Sequence, residues 1–204
     1  MSIKICDTIK FYCESKDNTE AIDLFYDKPI QPQNNFEDLE KYSKAQLYFS
    51  KFQYDIWKFR YDLWKSVWGY VLEDFKEDFK DIIGFSDYED YYWGFYVAYK
   101  INNKKYRFSI AEFDSKDDIL YVYASKFKEN GKNDVTESAI NGVEIDDKLL
   151  ENKKYNNCNE WYTRSKHSIS IKERTEVTDA DIKAFREAAK KILEYIIYPS
   201  ENVE

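Results

Sequence analysis

The chain has 204 residues, 43% of them hydrophobic and 34% charged, a balance that marks a globular chain long enough to bury a core and excludes a disordered one. Its formal net charge of -8 disfavours duplex nucleic acid as a ligand, because such binding needs a positive footprint. Gly 5 and Pro 3 are scarce and no glycine-rich phosphate loop is present, which removes the common nucleotide-binding enzymes.

Residues 1–35 carry strand-like spacing in Ile3, Ile5, Ile9 and Phe11, then a short helical stretch from Ala21 to Tyr26. Pro29 and Pro32 break regular structure before Asn35, an expected N-cap followed by Glu37 and Asp38. A long helical pattern follows. Ala45, Phe49, Phe52, Ile56, Phe59 and Leu63 recur at spacings of 4, 3, 4, 3 and 4, and Tyr54, Trp57, Tyr61, Trp64 and Trp68 at 3, 4, 3 and 4. At about 100° per residue the two sets lie on nearly opposite faces. Such a helix is either sandwiched between layers or buries one face and offers the other. Read unbroken through Phe75, Phe79 and Ile82 it would run roughly 57 Å, overhanging a domain about 43 Å across, so a break is expected near Gly69. Gly84 closes the helical part, which spans about 36–84.

The period then changes to two. Trp93 to Ile101, Tyr106 to Ile110 and Ile119 to Phe127 alternate like strands, with a tight turn at Asn102-Asn103. Residues 128–160 are polar and turn-rich, and a fourth strand is expected through Ser168 to Ile171. Thr178 caps the last helix, whose stripe is Ile182, Phe185, Ala189, Ile192 and Ile196, and Pro199 ends it. The reading is one α+β domain over 1–204: a long N-terminal helical region, a three- to four-stranded antiparallel sheet, and a C-terminal helix packed on that sheet, the last two over about 92–198.

Chemistry-bearing groups are sparse. Cys6, Cys13, Cys158 and His167 are the only soft ligands, at spacings looser than structural zinc pairs. The same Cys158 and His167 could form a nucleophile–base pair, but no orienting group is identifiable. A metal-dependent nuclease would need an Asp, a hairpin and Glu-x-Lys; the triplets are Glu14-Ser15-Lys16, with Asp7 too near, and Glu151-Asn152-Lys153, with Asp134 upstream. Tyr99, Tyr106, Phe108, Tyr121 and Tyr123 would suit single-strand stacking, but the charge opposes it. No metal and no cofactor is expected.

The strongest binding signal is elsewhere. Glu73, Asp74, Glu77, Asp78, Asp81, Asp87, Glu89 and Asp90 are opposed only by Lys76 and Lys80, and aromatic residues interleave them. With Trp57, Trp64 and Trp68 they form the expected partner-binding surface, an anionic and aromatic face for a basic protein partner such as a nucleic-acid-binding protein. The expectation is a non-enzymatic acidic binding protein that occludes a basic site, inhibitor- or immunity-like, acting against a nucleic-acid-processing system. A metal-dependent nuclease or a subunit of a larger assembly are the alternatives. The start MSIKICDTIK lacks a signal-peptide pattern and no apolar run approaches ~18 residues, so a cytoplasmic location without membrane insertion is expected.

Overall fold

The computed structural model describes residues 2–5, 47, 50–51, 54–55, 57–74, 86–87, 95–101, 104–110, 119–127, 137–140, 145, 147–154, 161–171 and 173–198. Eleven strands are present among them: β1 (Ile3–Lys4), β2 (Ser86–Asp87), β3 (Phe95–Ile101), β4 (Lys104–Ile110), β5 (Ile119–Leu120), β6 (Val122–Phe127), β7 (Glu137–Ser138), β8 (Leu150–Lys154), β9 (Trp161–Ser165), β10 (Ile169–Ser170) and β11 (Glu176–Val177). Helical residues accompany them, at 47, 50–51 and 54–55 and in two longer runs. Helix α1 covers residues 57–74 and α2 covers Asp179–Ile197.

The alternation read from the sequence produces the sheet. Ile101 pairs with Lys104 at the end of the β3–β4 ladder; the expected turn at Asn102-Asn103 lies outside the described residues. The main sheet is antiparallel, in the order β2-β3-β4-β6-β9-β8 with β7 also on β6. It has seven strands, more than the three or four expected. The added ones are short or polar: β2 and β7 have two residues each, and β8 reads Leu-Glu-Asn-Lys-Lys. Only one β8 side chain, Leu150, is fully buried, so no hydrophobic alternation announced it. The expected strand near Ser168 is divided. Trp161–Ser165 joins the main sheet, whereas Ile169–Ser170 pairs with Ile119–Leu120 in a separate two-stranded ladder.

Strand β8 lies at the sheet's edge, but that edge is closed by the chain itself. Asn152 N–H donates to the Ile145 carbonyl and Asp147 N–H to the Leu150 carbonyl, both at 3.3 Å. The Leu150 carbonyl and the Asn152 N–H are thus used, which hinders pairing with a foreign strand there.

Helix α2 forms as its sequence dictates. Thr178 Oγ1 accepts from Asp181 N–H and the Asp181 carboxylate accepts from Thr178 N–H, a reciprocal capping box. Its stripe of Ile182, Phe185, Ala188, Ala189, Ile192 and Ile196 is buried against β6, β8 and β9. Helix α1 lies on the same layer and touches α2. Between them and the sheet sits the main core, including Phe59, Leu63, Trp68, Phe108, Val122 and Leu150. At the other end of the chain, Ile3 and Lys4 pair with Val177 and Glu176, and Ile5 N–H donates to Thr175 O at 2.9 Å. The N-terminal strand is therefore tied to the residues just before α2.

Gly69 does not break α1. Lys65–Gly69 is a π-helical turn, and the α-helix resumes over Tyr70–Asp74. A π turn absorbs one extra residue without ending the helix. The expected continuation beyond Asp74, and the segments 6–46 and 128–136, lie outside the described residues. A Cβ at Gly69 would meet Lys65 Cγ and Trp64 Cζ3 at 3.6 Å, ordinary contact distances. Gly69→Ala is therefore expected to stabilise the protein by about 0.4–1 kcal/mol through the lost freedom of the unfolded chain. Urea denaturation measures this, and a decrease in stability would show that the π turn requires glycine.

The cap also makes a pH prediction. Asp181 is buried, and that burial acts to raise its pKa. Hydrogen bonds from Thr178, the Arg174 charge and the His167 contact outweigh it and bring the carboxyl below its ordinary range. A carboxylate depressed in the folded state adds stability above its unfolded pKa, near 3.9, and loses it as pH falls through the folded value. Stability should therefore decline from about pH 4 downward, with a shallower acid limb in Asp181→Asn. At neutral pH, Asp181→Ala should cost about 1–3 kcal/mol, through a lost cap and a stranded Arg174. Denaturation midpoints between pH 3 and 7 test both statements.

Candidate functional site

The tryptophan stripe of α1 is split by the sheet. Trp68 is 0% exposed and Trp64 6%. Trp64 Nε1 donates to the Phe108 carbonyl at 3.1 Å, and Trp68 Nε1 to the Ser109 carbonyl at 2.9 Å. The Trp68 ring also packs on Phe108, with centroids 4.7 Å apart. Both indoles are anchored on consecutive residues of β4. They belong to the core and not to a partner-binding surface, because their N–H groups and faces are already used within the chain.

Trp57 differs. It is 46% exposed and stacks on Tyr61, with centroids 5.1 Å apart and planes 7° from parallel. Tyr54, itself exposed, extends the stack at 6.3 Å. Lys65 Nζ lies 5.9 Å from the Tyr61 ring, and beside the stack Lys58 pairs with Asp62 at 2.6 Å. The result is a part-exposed aromatic stack on a helix whose next two turns are fixed to the sheet. Glu73 and Asp74 are exposed at the far end of α1. Asp87 lies in β2, opposite Val97. Glu77, Asp78, Asp81, Glu89 and Asp90 lie outside the described residues.

A second constellation went unread in the sequence. Strand alternation places Ser109, Tyr123, Arg164 and Glu151 in one row across β4, β6, β9 and β8, on the sheet face away from the helices. Arg107 donates to the Tyr123 hydroxyl and lies over its ring. Arg164 lies over Tyr121 and donates to Glu151 from both Nε and a terminal nitrogen at 2.9 Å. Tyr121, Tyr123 and Tyr162 pack together and are buried. The signal was present as period-two polar residues opposite an apolar face, but the cross-strand pairing that assembles the row is non-local.

This geometry bears on the chemical alternatives. Glu151 and Lys153 of the Glu-x-Lys triplet do share a face. However, Lys153 sits 3.1 Å from one Glu151 oxygen and Arg164 occupies the other. Burial acts to raise the Glu151 pKa, but these hydrogen bonds and charges outweigh it and lower it. The carboxylate is thus ionised and neutralised by two cations, an arrangement that competes with metal ligation. Asp134 and Cys158 lie outside the described residues. His167 Nε2 lies 3.1 Å from Asp181 Oδ1, and its ring packs on Phe185. The nearby Ser165 hydroxyl donates to the His167 backbone carbonyl, not to the ring, so Ser165, His167 and Asp181 do not form a nucleophilic triad. Among the described residues no three His, Cys, Asp or Glu side chains gather as metal ligands, and no helix is long and apolar enough to cross a membrane. Comparison with family models, curated proteins and solved structures finds no match to the chain.

Proposed function

We propose that this chain is a non-enzymatic binding protein that docks a basic protein partner and occludes its basic site. The docking face is the Tyr54–Trp57–Tyr61 stack together with the acidic stretch that begins at Glu73. The observation that carries the reading is the half-exposed Trp57, held flat against Tyr61 on a helix pinned by Trp64 and Trp68. Ordering of an interface aromatic costs binding energy, and a stack formed in advance lowers that cost. The net charge of -8, with eight carboxylates against two lysines over 73–90, would speed encounter with a cationic partner and select for it. An inhibitor- or immunity-like role toward a nucleic-acid-processing protein fits this charge, since such proteins present basic grooves.

The test compares wild type, Trp57→Ala and a Glu77→Lys/Asp78→Lys/Asp81→Lys variant as baits in extracts of the source cells, read by mass spectrometry. A basic protein retained by wild type and reduced with both variants supports the reading. Equal retention by all three baits overturns the surface assignment. In parallel, DNA and RNA are incubated with the protein and Mg²⁺ or Mn²⁺. No cleavage is expected, and cleavage abolished by Glu151→Ala would replace binding with metal-dependent nuclease chemistry.

A further inference from the structure

In a regular α-helix the Ser66 carbonyl would accept from the amide of Tyr70, four residues on. Here Tyr70 N–H donates to the Val67 carbonyl. A donor from the other helix reaches Ser66 O: Arg186 Nε of α2, at 2.7 Å. The same guanidinium lies 3.8 Å from the centroid of the Tyr70 ring. One side chain therefore engages both a carbonyl inside the π turn and the residue that closes it. Arginine suits this task, because its planar head stacks and its Nε–H donates at once.

We infer that Arg186 is a latch that keeps α1 in its π-widened register and so fixes how the Tyr54–Trp57–Tyr61 face sits on the sheet. Trp64, just before the turn, and Trp68, within it, anchor the helix to β4. Relaxing the turn to α would rotate one side of the helix against the other by about 100°, against the hold of these two indoles on β4. Arg186 adds a bond from α2 to a backbone carbonyl of that turn. The use of the positioned face rests on the proposed docking role; the latch itself does not.

The experiment is residue-resolved hydrogen exchange on the full chain, with Arg186→Met, which keeps the stem's packing but removes the donor and the charge. Amides 67–74 are expected to exchange about tenfold faster or more, while β4 and β6 amides stay as in wild type. The Ser66 carbonyl carbon resonance should shift as its hydrogen bond is lost, a change that packing alone would not cause. Tyr70→Leu, which retains the hydrogen bond but not the stacking, should give a smaller acceleration confined to the same amides. Unchanged exchange at 67–74, an unmoved Ser66 resonance, or acceleration spread evenly over α2 and the sheet would each overturn the latch. None of these readouts needs a partner, so failure of the docking role would leave them unaffected.

Discussion

Phe185→Ala is expected to destabilise the protein by about 3–5 kcal/mol, the range for deleting a fully buried phenylalanine ring. The ring is 0% exposed and occupies the middle of α2, between Ile182 and Ala189 on the buried stripe. On one side it meets the His167 ring, 4.9 Å between centroids. Truncation removes the apolar surface and leaves a cavity that the surroundings cannot easily fill. The capped helix is fixed at Thr178, and its flank is pinned to α1 by the Arg186–Ser66 bond. Since α2 touches β6, β8, β9 and α1, the loss should appear as one cooperative transition at lower urea, with an unchanged slope. Ile192→Ala, equally buried, should cost about 2–5 kcal/mol. Changes below about 0.5 kcal/mol at both sites, the size of a surface substitution, would mean that α2 is not docked.

The elements written in local chemistry were legible. Thr178 followed by Asp181, and a 3-and-4 apolar spacing, define α2 without reference to anything distant. Alternation between Phe95 and Ile110 defines β3 and β4. Strand β8 was not legible, because at the edge of the sheet only Leu150 has to be apolar. The π turn was legible only as a misplaced glycine, since nothing in Lys-Ser-Val-Trp-Gly distinguishes a widened turn from a broken one. Its cause is tertiary: two indoles seeking adjacent carbonyls on β4, and an arginine 120 residues away in sequence from Ser66. The candidate site was half legible for the same reason. Spacing placed Trp57, Trp64 and Trp68 on one face, but where that face meets the sheet is set by β4, whose carbonyls lie 44 and 41 residues beyond Trp64 and Trp68.

That division is the basis of the second large effect. Trp68→Ala should cost about 3–5 kcal/mol of stability, through a lost ring, a cavity and the broken bond to Ser109 O. Trp68→Phe should recover part of that loss, because the ring volume largely returns while the N–H does not. Trp57→Ala should leave the unfolding midpoint nearly unchanged: the ring is half solvated, and its stacking on Tyr61 is an i,i+4 contact worth about 0.2–0.5 kcal/mol. With the partner in hand, the order reverses. Trp57→Ala should weaken binding by on the order of 2 kcal/mol, mainly through faster dissociation. Reversing the charges of Glu77, Asp78 and Asp81 should slow association and flatten its salt dependence. Denaturation and binding kinetics on the same variants separate the two roles. If Trp57→Ala unfolds the protein as Trp68→Ala does, its exposed face is a core surface covered by the chain itself. If it neither unfolds the protein nor alters binding, the partner docks elsewhere, and the acidic stretch has to be examined without the stack.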